Sequence, residues 1–315
     1  MSDQAESSEK PEGISAASRG NAPKIVPRQK AVSDVVVSAV LKTDETVLRL
    51  NRLLSTKAGL DIVLANLNYT SHSLHYLLAS SPLASLRLTI RLWLLRRLGR
   101  DVPALPPPAT NVSSARPPLL AFSDLMSKTR YTLRLLGLVS MWAWGSSTYK
   151  SPPKDPVLRA VAYLEVLSML VYQFLENVTY LASNGIGGDS LIKRTGGMGK
   201  WTIWSIRAWF AYVLLQFVKL SRESVLFNQK EQEEQRQVSA GEKSVAVADA
   251  ELEAARQAEV RSWRKRLVNN LAWAPLCAHW SLEKGLGVPP STTGFISWLA
   301  GAWGTYDAWQ ATALP

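Results

Sequence analysis

The chain has 315 residues, a formal net charge of +11, one cysteine and three histidines. A single cysteine excludes an internal disulfide framework and a cysteine-rich zinc site, and the basic excess favours anionic partners. Twelve tryptophans lie almost entirely within apolar segments, beside Arg, Lys, Tyr and Asn. That pattern is typical of a membrane–water interface, so among anionic partners lipid is favoured over nucleic acid.

Residues 1–33 are rich in Ser, Glu, Pro, Gly and Lys, which predicts a disordered N-terminus. Residues 1–30 contain no apolar core of a secretory signal peptide. We therefore expect a protein that is made in the cytosol and inserted into an organelle membrane after translation.

Residues 44–57 predict an amphipathic helix. On a helical wheel, one sector of about 120° holds four apolar residues: Val47, Leu50, Leu53 and Leu54. The other side is polar and includes Arg49 and Arg52, while Thr43 or Asp44 could cap the helix. Two interpretations are open, because such a face either packs on a neighbouring helix or enters a membrane surface.

Residues 83–100 predict an arginine-rich helix in which leucines, Ile90 and Trp93 alternate with five arginines: Arg87, Arg91, Arg96, Arg97 and Arg100. The arginines do not gather on one side of the wheel. Their stems could lie on lipid while the guanidinium groups reach phosphate, and each would contribute about 1 kcal/mol at an anionic surface. The alternative is a helix packed on protein with solvated arginines.

Six prolines in residues 101–118 exclude a continuous helix and predict a linker. It would separate an amphipathic and arginine-rich helical module, residues 34–100, from a membrane-embedded helical core, residues 119–223. Residues 224–262 are rich in Glu, Gln and Ala and predict a charged insertion, either helical with an interruption near Gly241 or partly disordered.

Residues 263–315 predict C-terminal Trp-rich apolar helices, and their two segments, 267–282 and 294–309, are marginal in length for crossing a membrane. The longest apolar segments are residues 158–183 and 201–223, which a glycine-rich turn joins. A helix of 26 residues rises about 39 Å, more than the ~30 Å hydrocarbon core. These two segments predict a long apolar helical hairpin.

Three charged residues lie well inside these apolar segments and need an explanation: Glu165, Glu176 and Arg207. The two glutamates lie within about 20° of each other on the first helix. Arg207 stands alone on the apolar side of the second helix, opposite a polar stripe formed by Ser205, Gln216, Lys219 and Glu223. Because an unpaired charge in a low-dielectric medium is costly, we predict that Arg207 pairs with Glu176 or Glu165. The alternative is that Arg207 reaches the membrane interface with its long side chain.

The sequence contains no arrangement that supports catalysis. A nucleophile elbow, a His–carboxylate pair, a metal cluster and a dinucleotide fingerprint are all lacking, and Gly199-Lys200 does not fit a phosphate loop. We therefore expect no enzyme, no cofactor and no nucleic-acid module. The predicted fold class is all-α: a membrane-associated helical bundle with amphipathic N-terminal helices and the long apolar hairpin.

Several segments resemble the peroxisomal biogenesis factor 11 family, in particular its gamma-like fungal type. The most specific are YQFLENVTYLASNGI at residues 172–186 and WSIRAWF at residues 204–210. Residues 48–78 and 130–144 also resemble segments of this family, in the general character of their sequence. Together these segments cover most of residues 40–225.

The resemblance implies a peroxisomal membrane protein that promotes elongation, proliferation and fission of the organelle by amphipathic-helix membrane remodelling. It also implies contact with anionic phospholipid, homo-oligomers, and recruitment of fission machinery: a dynamin-related GTPase and its membrane adaptor. The segment most similar to the family's amphipathic helix is residues 44–57, with 83–100 as the alternative. Two other classes are open: a channel or carrier for small metabolites lined by the three hairpin charges, and a scaffold that binds partners through residues 224–262.

Overall fold

The computed structural model describes residues 27–98, 117–239 and 249–313, and these ranges contain helices and no strand. The chain divides into two compact units, Met1–Leu50 and Asn51–Pro315. In chain order the helices are α1 (Pro27–Leu54), α2 (Lys57–Ala79), α3 (Ser81–Arg97), α4 (Pro118–Arg134), α5 (Gly137–Lys150), α6 (Pro156–Ser183), α7 (Asp189–Arg194), α8 (Met198–Ser239), α9 (Asp249–Trp280) and α10 (Pro290–Gln310). The predicted all-α class is confirmed.

Helix α1 is longer than the predicted segment 44–57. Thr43, one of the two predicted caps, lies inside it, and its hydroxyl donates to the Ala39 carbonyl at 2.8 Å. The prediction of a cap at Thr43 or Asp44 was wrong, because no glycine or proline after Pro27 stops the helix before Leu54. Helix α2 then begins at Lys57, where the Thr56 hydroxyl accepts a hydrogen bond from the Gly59 amide.

Helix α2 packs against α4 and α10 in the unit Asn51–Pro315. Its polar side chains make specific contacts with both: Asn66 donates to the Thr305 hydroxyl at 3.0 Å, and the Ser123 hydroxyl donates to Asn68 Oδ1 at 2.6 Å. Gly294 of α10 lies so close to α2 that an added Cβ would come within 2.6 Å of His72 Nδ1. The glycine therefore permits the close approach of these two helices.

The predicted hairpin is confirmed by the packing of α6 against α8. Asp155 caps α6 by accepting from the Leu158 amide at 3.0 Å, and Pro156 follows at the first helical position. In the turn, five glycines have positive φ angles, which other residues adopt at a steric cost: Gly185, Gly187, Gly188, Gly196 and Gly197. These glycines let the chain reverse, and α7 lies between them.

The polar stripe of α8 meets the acidic stripe of α6. Gln216 Nε2 donates to Glu165 Oε1 at 3.0 Å, and Lys219 Nζ lies 3.1 Å from Glu165 Oε2. Glu165 is only 1 % exposed, so these two side chains satisfy an otherwise unsolvated carboxylate. Ser205 extends the contact by donating to the Tyr172 carbonyl at 3.2 Å.

Arg207 does not have the partner predicted for it. It projects from the opposite side of α8, where its Nε donates to the Ser281 carbonyl at 3.0 Å. Glu176 instead pairs with Arg134 of α4 at 3.5 Å, and Glu165 pairs with Lys219. The reason is rotational: the stripe that contains Lys219 faces α6, so a residue on the other side of α8 faces away from both glutamates.

Helices α9 and α10 complete the bundle. Trp263 donates to the Leu220 carbonyl at 3.0 Å, Arg266 pairs with Glu223 at 2.7 Å, and Lys265 forms an ion pair with Asp307. Nearer the start of α9, Arg256 pairs with Glu231 of α8 at 3.2 Å. The described part of the predicted charged insertion is helical, because it belongs to α8 and α9. The interruption predicted near Gly241 lies outside the described residues.

Replacing Lys219 with Met should destabilise the protein, because Glu165 would stay buried without its cation. We expect a loss of about 3 kcal/mol, the low end for a broken buried ion pair, since Lys219 is 30 % exposed. Reversible unfolding in detergent micelles measures this loss. Lys193→Met in α7 is the matched control, and equal stability of the two variants would contradict the role of the Glu165–Lys219 pair.

Candidate functional site

A cavity of about 1070 Å³ lies within the unit Asn51–Pro315, between α2, α4, α5, α6, α8, α9 and α10. Its lining combines aromatic and aliphatic side chains with five charged ones: Lys57, Asp61, Arg130, Arg134 and Glu176. A large, mainly apolar pocket with a few convergent polar groups is the usual form of a small-molecule site. We therefore take this cavity as the candidate site.

Arg130 joins α4 to α2 at the cavity wall. Its Nε and Nη2 donate to the two carboxylate oxygens of Asp61 at 2.8 and 3.1 Å, and its Nη1 donates to the Tyr69 hydroxyl at 3.1 Å. Desolvation by burial opposes the charge of Arg130, but the hydrogen bonds and charges of Asp61 and Tyr69 more than offset it and raise its pKa. Arg130 is thus a fixed cation in a paired, bidentate geometry.

Arg134 repeats this arrangement one turn later, toward α6. Its Nη1 lies 3.5 Å from Glu176 Oε1 and donates to the Tyr172 hydroxyl at 3.0 Å, and that hydroxyl donates to Glu176 Oε1 at 2.5 Å. Two amides of α6 then support the end of α4: Gln173 donates to the Arg134 carbonyl and Asn177 to the Leu135 carbonyl. These bonds satisfy carbonyls that the end of α4 leaves without helical partners.

The two tyrosines connect the arginines to a pair of tryptophans. Tyr69 meets Trp273 of α9 with ring centroids 6.3 Å apart, Trp273 meets Trp209 of α8 at 5.0 Å, and Trp209 meets Tyr172 at 6.1 Å. Edge and tilted contacts at these distances are favourable. The chain of four rings therefore crosses the bundle from α2 to α6 and presents aromatic surface to the cavity.

His72 also lines the cavity, with Nδ1 enclosed and without a hydrogen-bond partner among the described residues. Desolvation by burial, and then the charge of His75, lower its pKa. His72 is therefore neutral at pH 7 and adds no charge to the site.

The residues predicted from sequence lie in three different places. Of the three hairpin charges, Glu176 lines the cavity, whereas Glu165 and Arg207 do not. On α1, Val47, Leu50 and Leu54 are exposed, Arg49 and Arg52 are half-buried, and Leu53 is buried. On α3, Arg96 and Arg97 are exposed, and Arg97 lies over the Trp93 ring at 5.2 Å. The side chains of Arg87 and Arg91, and all of Arg100, lie outside the described residues.

Sequence reasoning missed the arginines and tyrosines of the cavity. The spacing of Arg130 and Arg134 places both on one face of α4, which was a visible signal. Their partners gave none, because Asp61, Tyr69 and Trp273 are distant in the sequence and meet through packing of α2, α4 and α9.

These features define an all-helical protein in which α6 and most of α8 are long and apolar enough to cross a membrane. The profile of the family Peroxisomal biogenesis factor 11 matches residues 110–309, and the chain belongs to this family. It is therefore a peroxisomal protein involved in peroxisome proliferation, in a family of biogenesis factors that is not a known enzyme family. Comparison with curated proteins and with solved structures gave no significant match. Assignment to the gamma-like type stays a prediction.

Cys277 lies in α9 and is fully buried, 0 % exposed. Burial raises the pKa of its thiol to about 12, so the thiol is protonated at pH 8 and ionises only as the pH approaches 12. We expect a maleimide to leave the folded protein unmodified at pH 8 and to label it fully after denaturation. Rapid labelling of the folded protein would contradict this burial.

Proposed function

We propose that the protein remodels the peroxisomal membrane and so promotes peroxisome elongation, proliferation and fission. Helices α6 and α8 anchor it in the bilayer, and α1 lies in the surface of one leaflet as a wedge. A helix that buries its apolar face ~5–10 Å in one leaflet expands that leaflet and favours curvature. Membership of a family of peroxisome biogenesis factors supports the cellular setting of this proposal.

The exposed apolar face of α1 is the observation that carries the proposal. Val36, Val40 and Val47 share this face and are 55, 61 and 57 % exposed. From Val35 to Leu50 the helix rises about 22 Å, enough for several side chains to enter lipid together. The predicted face at residues 47–54 thus extends toward the N-terminus and loses Leu53, which is buried near Gly59.

A belt of exposed apolar side chains supports the membrane anchor. On α6, Leu167 and Phe174 are 57 and 52 % exposed, and on α8, Leu214 and Val218 are about half exposed. Helix α5 and the residue before it add exposed apolar side chains: Leu136, Val139 and Trp142. Large exposed apolar patches mark surfaces that face a partner or a membrane. The parts of the belt on α6 and α8 lie on helices of membrane-spanning length.

A glutamate on the apolar face of α1 should weaken the wedge. Val40→Glu places a charge on that face, whereas Ser38→Glu adds the same charge on the opposite side of the helix. Burying one valine contributes about 1.5 kcal/mol, so we expect Val40→Glu to bind anionic liposomes at least about tenfold more weakly than Ser38→Glu. Sedimentation with liposomes measures affinity, and electron microscopy scores tubules. Equal tubulation by both variants would contradict the proposal.

The proposal includes homo-oligomers and recruitment of a dynamin-related GTPase and its membrane adaptor. The charged outer parts of α8 and α9, which Arg256 and Glu231 join, are the surface that we assign to this recruitment. Charged rims of this kind steer soluble partners.

Reversing charge on this surface should reduce capture of the adaptor. We expect the double variant Glu233→Lys, Glu253→Lys to retain the adaptor at least about threefold less in a pull-down, because both glutamates are exposed. Glu283→Lys, in the exposed turn after α9, is the control. Undiminished capture by the double variant would exclude this surface.

A further inference from the structure

The charges around the cavity do not balance. Three of its lining residues are cations, Lys57, Arg130 and Arg134, and two are carboxylates, Asp61 and Glu176. The carboxylates pair with the arginines. Lys57 has no carboxylate within 4.0 Å in the described part of the chain. The charged side chains of the cavity lining therefore have an excess of one positive charge.

The arginines also retain hydrogen-bonding capacity. A guanidinium has five N–H groups, of which Arg130 uses three and Arg134 two in contacts with described residues. The remaining donors belong to side chains that line the cavity. Guanidinium groups and a lysine in one cavity suit a carboxylate or a phosphate.

The rest of the lining suits an apolar chain. Several large apolar side chains line the cavity, among them Met141, Met169, Ile206, Trp209, Trp273 and Trp280. Along α2 the lining extends from Lys57 to His72, which is about 22 Å of helix. This length exceeds one leaflet of the ~30 Å hydrocarbon core, so a complete long acyl chain would fit beside α2.

We propose that the cavity binds one anionic amphiphile, a molecule with a long apolar chain and a single carboxylate or phosphate. The anionic head lies among Lys57, Arg130 and Arg134 and neutralises the excess charge. The chain packs on the methionines and tryptophans. All residues that line this site belong to the unit Asn51–Pro315, and the site requires no membrane remodelling by the protein.

Native mass spectrometry of the full-length chain in detergent micelles tests the site. The probes are palmitate, a phosphatidic acid, and methyl palmitate, which keeps the apolar chain and lacks the charge. We expect saturable binding of one palmitate or one phosphatidic acid per chain, and at least about tenfold weaker binding of methyl palmitate. If palmitate binds more tightly than the phosphatidic acid, the site prefers a free carboxylate. If the phosphatidic acid binds more tightly, the site prefers a lipid phosphate. Binding of methyl palmitate as tight as that of both anions would overturn the proposal.

Lys57→Gln removes the excess charge without breaking either arginine pair. Because Lys57 is solvent-exposed, we expect this variant to weaken binding by only about threefold to fivefold, and Lys150→Gln at the end of α5 to leave binding unchanged. Met141→Trp fills the apolar part and should reduce binding of every probe. Protection of the Cys277 thiol reports correct folding of each variant. Undiminished binding by folded Lys57→Gln and Met141→Trp would also overturn the proposal.

Discussion

The fold depends on the pairing of two arginines of α4 with carboxylates from two different helices. Arg130 meets Asp61 of α2, and Arg134 meets Glu176 of α6. Leaving either charge unpaired inside the bundle would cost several kcal/mol, so the pairs fix how α2, α4 and α6 are rotated and how far each is shifted along its axis. The hydrogen bonds of Glu165 do the same for α6 and α8. The cavity is the space that these constraints enclose.

Polar groups lie inside this bundle and large apolar groups lie on its surface. Glu165 and Gln173 are buried, whereas Leu167 and Phe174 on the same helix are about half exposed. In water such an arrangement would expose apolar surface to solvent. In a bilayer the apolar side chains contact lipid and the polar side chains contact protein, so each group is in a favourable medium. The arrangement thus connects the packing of α6 and α8 with a membrane protein of a peroxisome biogenesis family. The apolar face of α1 is exposed as well, and a bilayer would also be a favourable medium for it.

The hairpin and the helical class could be predicted from the sequence, because long apolar segments and a glycine-rich turn are local signals. The polar stripe of α8 and the acidic stripe of α6 were also visible, but the partner of Arg207 was not. That partner, the Ser281 carbonyl, lies just after the end of α9, and no pattern along α8 indicates which helix covers that side. The extent of α1 was missed because residues with capping propensity can equally lie inside a helix. The cavity depends on contacts between α2 and α4, across a proline-rich segment of the sequence.

We expect the apolar belt of α6 to face lipid while the charges of α6 face protein. Nitroxide labels on Leu167→Cys and Phe174→Cys in reconstituted bilayers test it, with Glu231→Cys on the solvated part of α8 as the control and buried Cys277 replaced by Ala. Relaxation by dissolved oxygen reports contact with lipid, and relaxation by a water-soluble nickel complex reports contact with water. Relaxation by oxygen should dominate at positions 167 and 174, and relaxation by nickel should dominate at position 231. Nickel accessibility at 167 and 174 equal to that at 231 would contradict this expectation.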